Sequence, residues 1–268
     1  MEEKRYEGMF YRQGIFSPVL DLLALEESLS ISINDIPFTI TMRTPGSESD
    51  LVRGLLFTEG IYQDIEMHPK LNIVETNVDG YPIKMDVLIP DENLLKEFSG
   101  TRSLTSFSSC GICGKTELDD ITSISTLRED GIFDAALVER MFEKMRNHQS
   151  AFDQCGGTHA AAAFDLQGEL LIVKEDIGRH NAVDKVIGSL IYEGKLNHAK
   201  FLTISGRISY EIVSKAFIAG IPFLGSVSAP STLAVETANM AGMTLLAFCR
   251  NDKLTVYSHP ERMMQLEK

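Results

Sequence analysis

Between residues 160 and 257, short apolar runs alternate with amphipathic stretches of helical period, and this alternation restricts the fold more than any other feature of the chain. Residues 160–164 and 169–173 read as a strand pair joined through Gly168, and residues 181–191 as a helix with Val183, Val186, Ile187 and Leu190 inward. A strand (201–204), a helix (209–219), a strand (222–225), a helix (232–240) and a strand (244–248) follow, with a last short strand at 255–257. Residues 134–146 carry Leu137, Met141 and Met145 on one helical face. Strands that alternate with amphipathic helices bury their sheet beneath those helices, so this half is expected to be an α/β layer sandwich with a partly parallel sheet.

The first part of the chain has a different period. Leu29, Ile31 and Ile33 alternate, Asn34-Asp35 turns, and Ile36, Phe38, Ile40 and Met42 continue the alternation: a half-buried hairpin. Residues 47–57 read as a helix, and a second hairpin is expected about Asp79-Gly80, between residues 72–77 and 81–89. Residues 99–115 are rich in Ser, Thr and Gly and hold neither period; they read as a long functional loop and a domain junction. The expected organisation is an α+β domain over 1–100, then the loop with an α/β domain over 101–268.

Composition narrows the function. With 44% hydrophobic and 24% charged residues in 268, the chain suits a globular protein. No apolar run approaches the roughly 18 residues of a membrane helix, and Met1-Glu2-Glu3-Lys4-Arg5 leads into no apolar segment, so a cytoplasmic protein without a membrane partner is expected. The net charge of −13 argues against a nucleic-acid partner, while a local basic pocket could still hold a phosphorylated ligand.

Only four cysteines are present: Cys110, Cys113, Cys155 and Cys249, too few for a disulfide scaffold and suited to reactive or metal-binding roles. Cys110-Gly111-Ile112-Cys113-Gly114-Lys115 places two thiols at C-x-x-C spacing on a glycine-rich turn, where backbone N–H groups and Lys115 favour the thiolate, the nucleophilic form. The spacing fits a redox dithiol, half a zinc site or a persulfide carrier. Cys155 and His159, spaced C-x3-H, could complete a Cys3His zinc set, or be a small buried side chain and a strand-end histidine bonded to backbone. A thioredoxin-like role is weaker, because the chain has no Trp and its C-x-x-C does not lie between a strand and a helix of a βαβ unit.

Three segments read as ligand loops between strand and helix: residues 175–181, 205–207 and 228–232. Ligands of open α/β sheets collect at the carboxyl ends of strands, where helix N-termini offer N–H groups to phosphate. Arg179, Lys185, Arg207 and Arg250 could add cationic contacts. Against this, Asn181, Ser209 and Ser231 could simply be helix caps, and Glu175, Asp176 and His180 could form salt bridges and not an acid/base cluster.

Taken together, residues 108–115, 156–162, 175–185, 205–207, 228–231 and 257–262 resemble, in order, the formate dehydrogenase accessory protein family, FdhD/NarQ. The resemblance implies a sulfurtransferase that accepts persulfide sulfur from a cysteine desulfurase. The sulfur passes to the molybdenum (or tungsten) bis(molybdopterin guanine dinucleotide) cofactor before that cofactor enters the formate dehydrogenase catalytic subunit. It implies a homodimer, and a three-layer α/β/α domain like the cytidine deaminase fold beside the smaller α+β domain. Cys110 then corresponds to the persulfide-bearing residue and Cys113 to its partner. Phe248, Cys249, Arg250, Asn251, Asp252 and Lys253 fall in the family's cofactor-binding stretch. With them, Arg179, His180, Lys185, Ser205, Gly206, Arg207 and Ser228 are expected to surround the cofactor's nucleotide ends, a site that a guanine nucleotide alone is also expected to occupy. The deaminase zinc signature, H-x-E with P-C-x-x-C, is missing: Ala160-Ala161 follow His159, and the C-x-x-C comes earlier in the chain. No resident metal is expected. The other reading is a non-catalytic chaperone for the molybdenum cofactor.

Overall fold

The computed structural model describes residues 5–95, 126–127 and 132–263, so the segment carrying Cys110 and Cys113 lies outside the described residues. The N-terminal hairpin of period two is present as β3 (Glu27–Ile33) and β4 (Ile36–Arg43), closed by Asn34 (φ 49°) and Asp35 (φ 65°). Two consecutive left-handed residues define the turn whose twist matches antiparallel strands, and Asn and Asp tolerate that conformation best after glycine. β5 (Lys70–Thr76) and β6 (Pro82–Leu88) form the second hairpin, and β6 pairs in parallel with β3, giving the order β4-β3-β6-β5. Helix α1 (Glu48–Thr58) buries Leu51, Val52, Leu55 and Leu56 in one core with Leu29, Ile31, Ile33, Met85 and Val87.

The second half forms a six-stranded sheet of order β12-β11-β10-β9-β7-β8. Its strands are β7 (His159–Phe164), β8 (Leu170–Asp176), β9 (Phe201–Ile204), β10 (Phe223–Ser226), β11 (Thr244–Ala247) and β12 (Thr255–Ser258). The run β9, β10 and β11 is parallel; β7 is antiparallel to both β8 and β9, and β12 to β11. Helices α4 (Arg179–Tyr192), α5 (Tyr210–Ile218) and α6 (Thr232–Met240) pack with Ala161, Ala163, Leu202, Leu224 and Leu245. Helix α2 (Ala135–Arg146) packs on the alternate residues Ala160, Ala162, Phe164, Phe201, Phe223 and Leu246. Three layers result, with Phe133, Phe201 and Phe223 in ring contact at 4.3–4.6 Å beneath α2. Among the described residues no helix is long and apolar enough to cross a membrane.

Helices α1 and α4 meet backbone to backbone. A Cβ added at Gly54 would lie 1.9 Å from the Asp184 carbonyl oxygen, and one at Gly188 would lie 1.9 Å from that of Asp50. Around this crossing, buried Asp184 accepts from Thr58 Oγ1 at 2.8 Å and pairs with Lys215 Nζ at 2.8 Å. Desolvation holds the Asp184 carboxyl above its usual range, opposed by Lys215.

Several boundaries differ from those the sequence suggests. Strand β8 continues through Lys174, Glu175 and Asp176, because each finds a partner distant in sequence: Lys174 pairs with Asp50 at 2.7 Å, Glu175 accepts from the start of a short helix, and Asp176 pairs with Lys185 at 2.7 Å. Asn181 is not a cap. Helix α4 starts two residues earlier, and the Asn181 amide donates to Met42 O at 2.7 Å. Ser209 stands at the cap position of α5 without a capping bond, whereas Ser231 does cap α6, accepting from Ala234 N–H at 3.2 Å. Two elements had no clear sequence signal: the hairpin of β1 (Arg5–Arg12) and β2 (Ile15–Leu22), and helix α3 (Ser150–Cys155).

The α1–α4 crossing gives a direct test. Gly188→Ala is expected to lower stability by at least about 2 kcal/mol, because main chain must move to admit the methyl group. Gly8→Ala, whose added carbon comes no closer than 3.4 Å to Val19, is expected to stay within about 0.5 kcal/mol of the parent in urea unfolding.

Candidate functional site

The carboxyl ends of β9, β10 and β11, the first residue of β7 and the turn from β11 to β12 share one edge of the larger sheet. Against that edge lies a cavity of about 1500 Å³, larger than the roughly 300–1,000 Å³ of most small-molecule sites. Its apolar wall comes from Val138, Phe142 and Met145 of α2, Phe152 of α3, Val227 and Leu254. Its polar groups come from Asp134, Glu139, Glu143, Arg146 and Asn147 along α2 and at its ends, from Gln149, Thr158, His159 and Ser205, and from the Arg250–Lys253 turn.

That turn has an unusual backbone. Phe248 (φ 55°), Asn251 (φ 54°) and Asp252 (φ 55°) are all left-handed, which Asn and Asp accept readily and Phe adopts only under constraint. The constraint is a set of hydrogen bonds: Phe248 N–H to Ser228 O at 3.1 Å, Cys249 N–H to Ser226 O at 3.0 Å and Arg250 N–H to Lys253 O at 3.0 Å. Buried Ser226 donates its hydroxyl to Gly206 O at 2.5 Å and accepts from Ser228 N–H at 2.9 Å. Two of the three expected loops, 205–207 and 228–232, are thus joined through Ser226 and hydrogen-bonded to the 248–253 turn, while the third, 175–181, takes no part in this set. Arg250, Asn251, Asp252 and Lys253 stand exposed at the cavity. The neighbouring Asp252 carboxyl holds that of Glu139 above its usual range, so α2 and the turn set acidic groups beside each other at the cavity. Cys249 is buried beneath the turn, and desolvation pushes its thiol up to about 12.

His159 opens β7 on the cavity wall. Its Nδ1 lies 3.4 Å from Ser205 Oγ, which itself accepts from Ala160 N–H at 2.9 Å, so the histidine's described partner is a hydroxyl and not backbone. Burial, then the charge of Arg179, lowers its affinity for a proton and favours the neutral imidazole. Gly206 is confined here: a Cβ would meet the Arg179 side chain at 3.2 Å and His159 Nδ1 at 3.3 Å.

The remaining expected residues do not reach the cavity wall. Lys185, expected beside phosphate, is 3% exposed at its side chain and committed to Asp176 Oδ2 at 2.7 Å and Thr44 O at 2.8 Å. Its role in the described structure is to join α4 to the end of β8 and to the chain after β4. His180 Nε2 lies 3.0 Å from Glu211 Oε2 and 3.3 Å from Ser209 Oγ; the Glu211 contact is electrostatic, since neither carboxylate oxygen makes an aligned hydrogen bond. Arg179 has a buried Nε without a hydrogen-bond partner among the described residues, Arg207 is exposed, and Gly206 and Ser228 lie behind the cavity lining, in the loops that hold the turn. Glu175 accepts from Ala151 N–H at 2.9 Å, Phe152 N–H at 2.8 Å and Thr158 Oγ1 at 2.9 Å, and so anchors α3 at the cavity rim. The Cys155 thiol donates to Ala151 O at 3.0 Å. Among the described residues no group of three or more His, Cys, Asp or Glu could hold a metal ion.

The sequence did not disclose the α2–α3 wall of this cavity. The apolar face of α2 was legible, but its period is that of any core helix. Phe142 and Met145 serve both the core and the cavity, and nothing local separates those uses.

The sequence model described as the FdhD/NarQ family matches residues 24–264. Sulfur carrier protein FdhD of Mycobacterium tuberculosis is 40% identical over 254 residues, covering 91% of this chain and 92% of that protein. The protein of the same name from Sulfolobus acidocaldarius is 41% identical over 244 residues, covering 91% of each, and that from Nocardia farcinica is 42% identical over 251 residues, covering 91% and 88%. A crystal structure from Desulfotalea psychrophila, of a protein assigned as a formate dehydrogenase accessory protein, superposes with a TM-score of 0.74 at 23% identity, covering 98% of this chain and 99% of that one; it shares the fold.

The two described cysteines should differ in reactivity. With its thiol near 12, Cys249 is only about one part in ten thousand thiolate at pH 8. Iodoacetamide is expected to label Cys155 at least about 100-fold faster than Cys249 in the folded protein, and both at similar rates in denaturant, read by peptide mass spectrometry.

Proposed function

The chain belongs to the FdhD/NarQ family, and from that premise we propose that it is a sulfur carrier serving formate dehydrogenase maturation in the cytoplasm. The observation that carries this reading is the 40–42% identity to sulfur carrier proteins across 91% of the chain. The donor is a cysteine desulfurase persulfide. The Cys110 thiolate attacks its outer sulfur, a new S–S bond forms at Cys110, the donor's S–S bond breaks, and the donor cysteine leaves as thiolate. The Cys110 persulfide then delivers sulfur to the molybdenum (or tungsten) bis(molybdopterin guanine dinucleotide) cofactor. In one route Cys113 attacks the inner sulfur of Cys110, closing a disulfide and releasing the outer sulfur as hydrosulfide; a cellular thiol must then reduce that disulfide.

The cavity supports the acceptor half of this reading. It is roomy enough for a large cofactor, and it presents Arg250 and Lys253, cations suited to a diphosphate, on a turn whose backbone is fixed by the neighbouring loops. The order β8-β7-β9-β10-β11, with β7 antiparallel, supports kinship with the cytidine deaminase architecture without its zinc ligands. A homodimer, and a handover to the formate dehydrogenase catalytic subunit, complete the proposal.

Incubation with a cysteine desulfurase and cysteine is expected to add the mass of one sulfur atom to the intact protein. The adduct should map to Cys110, vanish on reduction and be missing from Cys110→Ala. The same variant should leave formate dehydrogenase at the activity found without the carrier while still binding guanosine diphosphate. A protein with free thiols that gains no sulfur refutes the carrier reading in favour of a cofactor chaperone.

A further inference from the structure

One buried polar group at the cavity is left unused by the fold. Gln149 is 4% exposed and lines the cavity at the turn between α2 and α3. Its main chain is fully engaged: N–H donates to Arg146 O at 3.2 Å, and its carbonyl accepts from Asp153 N–H at 3.0 Å. Its side-chain amide makes no hydrogen bond with any described residue, and it does not cap α3. Buried amides are normally paired, because both a donor and an acceptor lose water on burial. Nor is this amide sealed away like the Glu211 carboxylate; it borders open space in the cavity.

Next to it is a stacking surface. Phe152, three residues on, lines the same cavity at 37% exposure, with the Arg146 guanidinium 5.4 Å from its ring centroid. An amide that offers one donor beside one acceptor, next to an aromatic ring and a guanidinium plane, suits a flat nitrogen heterocycle: the planes stack and the amide bonds the ring edge. The cations Arg250 and Lys253 line the cavity on the β11–β12 turn. The cavity therefore carries an unpaired amide beside an aromatic ring at α2–α3 and two cations at that turn.

We propose that Gln149 reads the base of the bound nucleotide, its amide oxygen accepting from a ring or exocyclic N–H and its amide N–H donating to the adjacent ring acceptor, while Arg250 and Lys253 hold the diphosphate. This rests on the cofactor-binding reading above and assigns the two parts of that site. Guanine and the pterin ring share the 2-amino-4-oxopyrimidine edge, so one amide can serve either.

Calorimetric titration of the full-length protein with guanosine diphosphate and, separately, with inorganic pyrophosphate tests it. The parent is expected to bind guanosine diphosphate more tightly than pyrophosphate. Gln149→Leu should weaken guanosine diphosphate about 10- to 100-fold, the loss expected from unpairing a buried heterocycle edge, and leave pyrophosphate unchanged. Arg250→Ala should weaken both. Unchanged guanosine diphosphate binding by Gln149→Leu at an unchanged melting temperature overturns the assignment, as does equal parental affinity for the two ligands. Gln149→Asn, which keeps the amide on a shorter arm, should recover part of the loss, which a packing role alone would not require. Sulfur loading of Cys110, followed by mass, should be the same in parent and Gln149→Leu. If loading fails in the parent it is the carrier reading that falls, independently of how the base is bound.

Discussion

A buried carboxylate joins the four-stranded sheet to the six-stranded one. Asp176 ends β8 with its side chain wholly buried, and both its oxygens are used. One accepts from Gly178 N–H at 2.8 Å and the Asn181 amide at 3.1 Å, fixing the start of α4; the other accepts from Thr44 N–H at 3.2 Å and pairs with Lys185 at 2.7 Å. Ions so deeply buried are tolerated only when every lone pair is met, and removing one partner of such a pair costs about 3–5 kcal/mol. What the pair supplies is position. It draws the chain after β4 to the same point where β8 stops and α4 begins, and the glycine crossing of α1 on α4 follows from that juncture. At 1.9 Å for a hypothetical Cβ at either glycine, the crossing tolerates no other residue without a shift of main chain.

The cavity follows from what this juncture frees. With α4 held from its first turn, the edge of the sheet need not be closed by helix, and the loops after β9, β10 and β11 are stabilised by one another. Ser226 carries most of that burden, since its hydroxyl bonds two of the loops and its carbonyl receives the Cys249 N–H. Three left-handed residues can persist in the β11–β12 turn because the hydrogen bonds around it overdetermine their geometry. A turn so constrained presents Arg250 and Lys253 in a fixed place, which lowers the entropic penalty of binding an anion. The chain as a whole carries −13, so on the proposed reading these cations would act through local geometry and not through the overall field.

Those parts of the fold that depend on neighbours in sequence were legible, and those that depend on distant partners were not. The Asn34-Asp35 hairpin and the helices with Val183, Val186, Ile187 and Leu190 or with Met141 and Met145 follow from period and turn chemistry. The end of β8 is charged and reads as a loop; it is strand because Asp50, Lys185 and the start of α3 lie within reach in three dimensions. Helix α3 is six residues long, and the carboxylate at its start, Glu175, is 23 and 24 residues away. The β1–β2 hairpin exposes Tyr6, Met9, Phe10, Ile15 and Phe16, and apolar residues on both faces give no alternation from which to infer a strand. At the site, residues 249–253 and Ser205 line the cavity and Phe248 does not, while Lys185, expected beside a ligand, has its charge already neutralised within the protein.

The chemistry proposed for the site also explains what must be silent within it. A persulfide is attacked by any accessible thiolate, so a nucleophilic cysteine beside the acceptor would divert the sulfur. Cys249 sits directly beneath the cation-bearing turn, and burial pushes its thiol up to about 12, leaving almost no thiolate at neutral pH. The Cys155 thiol, on the turn into β7, donates to a backbone oxygen of its own helix. His159 is the cavity residue best placed to generate a thiolate, yet it has a depressed proton affinity and is directed through Nδ1 toward the Ser205 hydroxyl. On the proposed reading Cys249 is thereby kept from competing for sulfur, and transfer falls to Cys110 and Cys113. On that reading, a nucleophile in one sequence segment and recognition groups on a constrained wall would each meet a requirement that would spoil the other: access to a partner for the first, burial and fixed hydrogen bonds for the second.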